Sequence, residues 1–76
     1  MITIRYFASL RETLGRDHDT VDADSVATVG DCWTSVADRP DSAPNLLAAV
    51  NMEYAGFEHP VKDGDEVAFF PPVTGG

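Results

Sequence analysis

Hydrophobic and polar residues alternate from the first position of the chain. Between Met1 and Phe7, Ile2, Ile4 and Tyr6 fall on one face and Thr3, Arg5 and Phe7 on the other, the period-two pattern of a half-buried strand. Ser9-Leu-Arg-Glu12 then has capping-box form, Leu10 and Leu14 stack four apart, and Gly15 suits a left-handed cap, which predicts a short first helix. The aspartate-rich stretch Asp17 to Asp24 around Val21 predicts a weak second strand with a solvated outer side. Thr28-Val-Gly-Asp31 repeats the capping-box form, and Val29, Cys32, Trp33 and Val36 follow at helical spacing beside Ala37, predicting the main helix. Arg39 to Asn45, with two prolines among turn residues, reads as a loop, and Leu46 to Val50 as a short buried strand. Asn51 to Phe57 reads as a turn with a short strand. Lys62-Asp-Gly-Asp65 is a tight turn into a last strand, Glu66 to Phe70, and Pro71-Pro72 closes the ladder because neither residue can donate to it. The predicted order is β-α-β-α-β-β-β: one α+β domain over 1–70, then an extended tail over 71–76.

On the last strand Val67 and Phe69 share a face, so Phe70 falls with Glu66 and Ala68, as Phe7 falls with Thr3 and Arg5. Two phenylalanines therefore point to the polar side of the sheet. Together with Tyr54, expected near a strand end, they form an exposed aromatic patch that anchors a protein interface, or else they cover an edge of the core beneath a loop. Both readings are open at this point.

Composition narrows the chemistry. A chain of 76 residues, 43% apolar and 24% charged, is one small domain that buries roughly 60% of its unfolded surface, too little for a deep private active site. Thirteen acidic against five basic residues give a formal charge of −8, which repels nucleic-acid phosphates and anionic lipid and excludes both as partners. Such a charge suits steering toward a basic protein surface, and equally plain solubility. Cys32 is the only cysteine, so neither an internal disulfide nor a multi-thiolate zinc site is expected, and a reducing compartment fits. With neither a signal-peptide core nor an apolar run of about 18 residues, the expected location is the cytoplasm. There is no P-loop, no GxGxxG, no Cys/His cluster and no Ser-His-Asp set. His18 and His59 read as surface or turn residues, Cys32 as a small core residue, and Asp63 and Asp65 as turn formers around Gly64. No metal site or bound cofactor is expected.

Val73-Thr74-Gly75-Gly76 has no role in a core. From Pro71 onward six residues reach about 20 Å, and the two glycines, without side chains, can thread a narrow channel and deliver a carboxylate into another protein's active site. A bare glycine pair also suits a frayed terminus. A carboxylate is a poor electrophile, and adenylyl transfer from ATP by a partner is the usual cytoplasmic way to activate it.

The stretch from Phe57 to Gly76, and above all Asp63-Gly-Asp-Glu-Val-Ala-Phe-Phe-Pro-Pro-Val-Thr-Gly-Gly76, closely resembles the small-subunit family of molybdopterin synthase, the ubiquitin-like sulfur carriers. Leu46-Leu-Ala-Ala-Val-Asn51 and Phe7-Ala-Ser-Leu-Arg-Glu12 extend the likeness, which fades between Asp17 and Asn45 to the pattern of elements. The resemblance implies a ubiquitin-like β-grasp with a mixed sheet packed on one main helix. It implies that Gly76 is adenylated by an E1-like enzyme consuming ATP, converted to a thiocarboxylate by a sulfur donor protein, and inserted into the large synthase subunit. There the sulfur attacks cyclic pyranopterin monophosphate to build the molybdopterin dithiolene, with Gly75 threading the channel. The small subunit is then a sulfur-donating, non-catalytic member of a heterotetramer whose pocket the large subunit supplies. Phe7, Tyr54, Phe70 and Thr74 are the implied partner-binding residues; at the position of Tyr54 the family commonly has an aliphatic residue. Arg11 reads as a solvated helix charge. Two rival uses of the same activated terminus are conjugation to lysines of target proteins and sulfur delivery for thiamine thiazole.

Overall fold

The alternation in the first strand decides which side of the sheet is buried. In the computed structural model, which describes residues 1–37 and 45–72, Ile2, Ile4 and Tyr6 of β1 (Ile2–Tyr6) are all buried, and Arg5 between them is exposed. β1 pairs antiparallel with β2 (His18–Val21) and parallel with β5 (Glu66–Phe70). β5 pairs antiparallel with β3 (Leu47–Val50), which carries β4 (Glu53–Ala55) at the edge, giving the order β2-β1-β5-β3-β4. The strand expected to be last in sequence is thus the middle of the sheet. With α1 (Ala8–Leu14) and α2 (Val29–Val36) in chain order, this is the ubiquitin-like β-grasp implied by the resemblance. The loop expected over 39–45 lies outside the described residues except for Asn45, as does the tail beyond Pro72.

Packing is led by Phe69. Its ring meets Trp33 of α2 at 5.2 Å between centroids and Phe57 at 5.9 Å, joining the helix, the central strand and the segment before β5. Val29, Cys32, Val67, Ala48 and Val50 complete the interior, with Leu10 entering from α1. Cys32 is fully buried as expected, and burial together with Asp31 and Asp65 pushes its thiol pKa up, so it is core and not a nucleophile.

The ends of the helices separate one correct expectation from one that fails. α2 begins with the capping box: the Asp31 amide donates to Thr28 Oγ1 at 3.2 Å, and Asp31 Oδ2 accepts from the Thr28 amide at 3.2 Å. Its next free amides, on Val29 and Gly30, donate to the carbonyls of His59 and Phe57. A Cβ on Gly30 would stand 3.2 Å from the Phe57 carbonyl oxygen, which is why a glycine fits there. The capping box predicted at Ser9 to Glu12 does not form. α1 starts at Ala8, so Ser9 lies inside the first turn and the cap position falls to Phe7, which offers no side-chain acceptor. Gly15 does close α1 in the left-handed conformation, at φ 74°. The second strand is shorter than the aspartate-rich stretch: after Val21 the chain enters a 3-10 turn, Ala23–Ser25, capped by the Asp22 side chain.

Polar groups secure both ends of the sheet. At one edge the Tyr6 hydroxyl donates to Asp19 Oδ2 at 2.7 Å, and Arg16 pairs with the same carboxylate while its Nη2 donates to the Val36 carbonyl at 2.7 Å, tying β1, β2 and α2 together. Partial burial opposes ionisation of Asp19, but the bonds from Tyr6 and Arg16 outweigh it and hold the carboxyl below its ordinary range. At the other end Asp65, buried beside the β3–β4 turn, accepts from the Lys62 amide at 2.9 Å and from Asn51 Nδ2 at 3.0 Å, while Asn51 Oδ1 accepts from the Glu66 amide. The Lys62 amide first and Asn51 second depress the Asp65 carboxyl pKa. Asp63 and Asp65 are therefore turn formers, as expected.

Replacing Asp65 with Ala strands two donors and is expected to lower unfolding free energy by about 1–3 kcal/mol in urea titration. A depressed folded pKa contributes stability above the unfolded value and loses it as pH falls. Wild-type stability should therefore decline on acidification below about pH 4, and the Asp65→Ala profile should be shallower there.

Candidate functional site

Among the described residues no helix covers the outer face of the sheet, and strand register determines what that face carries. Ala68, at the centre of β5, lies between Arg5 of β1 and Ala49 of β3, and Ala49 lies beside Tyr54 of β4. One step toward the end of β5, Phe70 lies beside Leu47 on one flank. On its other flank the Phe7 amide donates to the Phe69 carbonyl at 3.2 Å, so Phe7 borders the same strand end. The alternation predicted for Phe7 and Phe70 is what the structure has: Val67 and Phe69 face the core, and Glu66, Ala68 and Phe70 do not.

These side chains form one apolar surface. Phe7 is 46% exposed, Leu47 38% and Tyr54 81%, and the Tyr54 and Phe70 rings meet at 5.8 Å with a 58° tilt. The small residues Ala49 and Ala68 between them leave the rings standing proud of the sheet. Leu47 and Tyr54 also line a groove of about 330 Å³ at the β3–β4 edge, together with Ala48, Ala55, Gly56 and Phe57. Large apolar groups kept in water lose the favourable transfer free energy of burial, so a contiguous set of them on a small acidic protein marks a contact surface. Charges on this face include a local pair, Arg5 Nε to Glu66 Oε2 at 3.0 Å, with Arg5 one row from Phe70 and in the same row as Tyr54, two strands lying between them.

The arrangement has a direction. β5 runs parallel to β1, so the chain leaves the sheet at Phe70 between Phe7 and Leu47 and continues into Pro71 and Pro72. The apolar surface therefore surrounds the point from which the C-terminal segment departs. Thr74, Gly75 and Gly76 lie outside the described residues.

Among the other singled-out residues, His18 is on β2 and not in a turn, with Nδ1 2.7 Å from Asp17 Oδ1, while His59 is exposed in the segment that meets the start of α2. Tyr54 is the middle residue of three-residue β4, one position from either end, which agrees with the expectation of a place near a strand end. Among the described residues no group of three His, Cys, Asp or Glu side chains converges to hold a metal ion, and no helix is long and apolar enough to cross a membrane. Leu47 is the residue that sequence reasoning missed. The run Leu46 to Val50 has no alternation and reads as wholly buried, yet Leu47 is on the outer face because it pairs with Phe70. The only signal available was that pairing, which is a tertiary fact.

Comparison with known proteins extends over the length of the chain. The model of the ThiS family matches residues 4–76. The chain is 47% identical, over an alignment of 81 positions covering 100% of both chains, to the molybdopterin synthase sulfur carrier subunit of Escherichia coli (strain K12). Its structure is similar to the crystal structure of small archaeal modifier protein 1 from Haloferax volcanii, with a TM-score of 0.76 and 30% identity, covering 95% of this chain and 97% of that one. A chain in the crystal structure of the Amycolatopsis orientalis BexX/CysO complex gives a TM-score of 0.72 at 26% identity, covering 100% of each.

Exposed and buried aromatics should separate on truncation. Phe7→Ala and Tyr54→Ala are expected to change unfolding free energy by no more than about 1 kcal/mol, against a loss of about 3–5 kcal/mol for Phe69→Ala, read by urea denaturation.

Proposed function

The chain belongs to the ThiS family, and on that premise we propose that it is the sulfur carrier subunit of a molybdopterin synthase. The observation that carries this reading is the surface of exposed Phe7, Leu47 and Tyr54 with half-buried Phe70 around the exit of β5, on a chain 47% identical along its length to such a subunit. A surface in that place docks the body of the carrier while the Val73-Thr74-Gly75-Gly76 segment enters the partner. Complex formation by the related chain from Amycolatopsis orientalis supports a partner subunit for this fold.

The chemistry follows from what the chain lacks as much as from what it has. The Gly76 carboxylate is activated by an E1-like enzyme: a carboxylate oxygen attacks the α-phosphorus of ATP, pyrophosphate leaves, and an acyl-adenylate results. A sulfur nucleophile at the sulfide level, supplied by a donor protein, then attacks the acyl carbon and expels AMP, leaving a thiocarboxylate. In the large synthase subunit this sulfur bonds to a carbon of cyclic pyranopterin monophosphate, water then cleaves the acyl–sulfur bond and returns Gly76 to a carboxylate, and two carriers in turn supply the two sulfurs of the dithiolene. The substrate is anionic and a domain of formal charge −8 repels it, so the basic pocket belongs to the large subunit and only the uncharged Gly75 backbone and the Gly76 terminus enter. Phe7, Tyr54, Phe70 and Thr74 contact the partner, Gly75 threads and Gly76 reacts. ATP is consumed by the activating enzyme, and the reactions are cytoplasmic.

A second reading, conjugation of Gly76 to lysines of other proteins, is favoured by the likeness to small archaeal modifier protein 1. The two are separated by mass. Incubation with the adenylating enzyme, ATP and a sulfur source should exchange one oxygen of the Gly76 carboxylate for sulfur, seen by intact mass spectrometry, whereas a modifier yields lysine-linked adducts on target proteins. Deleting Gly76 should abolish molybdopterin formation and leave the fold and docking intact; product formation by the truncated chain would refute the carrier role. Phe7→Ala and Phe70→Ala should each weaken binding to the large subunit by about 1–3 kcal/mol, measured by calorimetry.

A further inference from the structure

Among the described residues, three that are not glycine have a left-handed backbone: Ala8 at φ 56°, Asn51 at φ 51° and Met52 at φ 72°. Asn51 and Met52 are the two loop residues of the β3–β4 hairpin, closed by the Val50 and Glu53 pair, where positive φ at both positions matches the twist of the strands. Ala8 has no such explanation. It is exposed, it occupies the step between the end of β1 and the first turn of α1, and alanine gains nothing there from a side-chain hydrogen bond as Asn or Asp would. Glycine would adopt the same backbone without strain.

What Ala8 adjoins is Phe7. Phe7 is held on one side by the hydrogen bond its amide donates to the Phe69 carbonyl at 3.2 Å, and on the other by the left-handed step into α1, which it caps without a side-chain acceptor. In this region alanine has one narrow well, whereas glycine ranges over a wide area of φ and ψ. Once the flanking elements force the turn, alanine confines it and with it the direction of the half-exposed Phe7 ring. Strained positions of this kind persist where the surrounding structure imposes them and concentrate at functional surfaces.

We propose that Ala8 is a positioning residue for docking: its left-handed backbone, strained and confined by the Cβ, aims Phe7 at the partner at the expense of stability. The inference rests on the reading of Phe7 as a docking residue. It predicts that stability and order of Phe7 move in opposite directions when the Cβ is removed, which a residue with a merely structural role would not do.

The test compares Ala8→Gly, Ala8→Asn and Phe7→Ala in the full chain. In Ala8→Gly the folded-to-unfolded ratio should rise about fivefold in urea titration, since release of left-handed strain exceeds the added chain entropy of glycine. Exchange of the Phe7 amide hydrogen should nevertheless become about tenfold faster, and affinity for the large synthase subunit should fall about three- to tenfold. Ala8→Asn, which tolerates the left-handed region and retains a Cβ, should restore affinity to within about twofold of the wild type. A less stable Ala8→Gly, or unchanged exchange at Phe7, overturns the inference. If Phe7→Ala weakens binding and Ala8→Gly does not, the inference fails and the docking role of Phe7 stands; if Phe7→Ala binds as the wild type does, both fall.

Discussion

The parallel pairing of β1 with β5 is the constraint on which the remaining structure depends. It makes the last strand in sequence the centre of the sheet, buried on one face by Trp33 and Phe57 packing around Phe69. Because the two strands run the same way, they end together. That brings Phe7, which leads into α1, beside Phe70, which leads toward the C-terminal segment. Parallel strands require a long crossover between them, and here the crossover contains both helices and the other three strands. An apolar surface around the exit of β5 is thus a property of topology and not of any local motif.

The distribution of polar groups supports that arrangement. Asp65, Asn51 and the Lys62 turn brace the start of β5, while Tyr6, Asp19 and Arg16 brace the β2 edge. The Asp65 network lies at the far end of β5 from its exit, whereas Tyr6 pairs with Phe69 beside that exit but turns its side chain into the core, so the outer surface there is apolar and built on small residues, Ala49 and Ala68. Among the described residues no buried side-chain nitrogen or oxygen lacks a partner, so the exposed aromatic group is not the by-product of a poorly satisfied interior. The acidic balance of the chain suits long-range steering and equally plain solubility.

Reading the chain without coordinates recovered much of this because the relevant patterns are local. The alternation of Ile2, Ile4 and Tyr6 and of Val67 and Phe69 identified the buried face, and Thr28 with Asp31 identified the start of α2. The expectation at Ser9 failed although its residue types were suitable, because the left-handed step at Ala8 begins the helix earlier than a side-chain cap would. Leu47 was misread for a different reason. A run of apolar residues carries no phase, and the phase came from pairing with Phe70.

By itself the sequence determined the succession of elements, the faces of β1 and β5, the buried state of Cys32 and the family resemblance of its last twenty residues, since these depend on neighbours a few positions apart. Tertiary structure alone decided that β5 is central, that Phe7, Leu47, Tyr54 and Phe70 share one surface, and that Ala8 is strained beside it. The physical reason is that side-chain alternation sets which face a residue occupies within its own strand, while strand order and register set which residues meet across strands, and those are settled by packing of the whole chain.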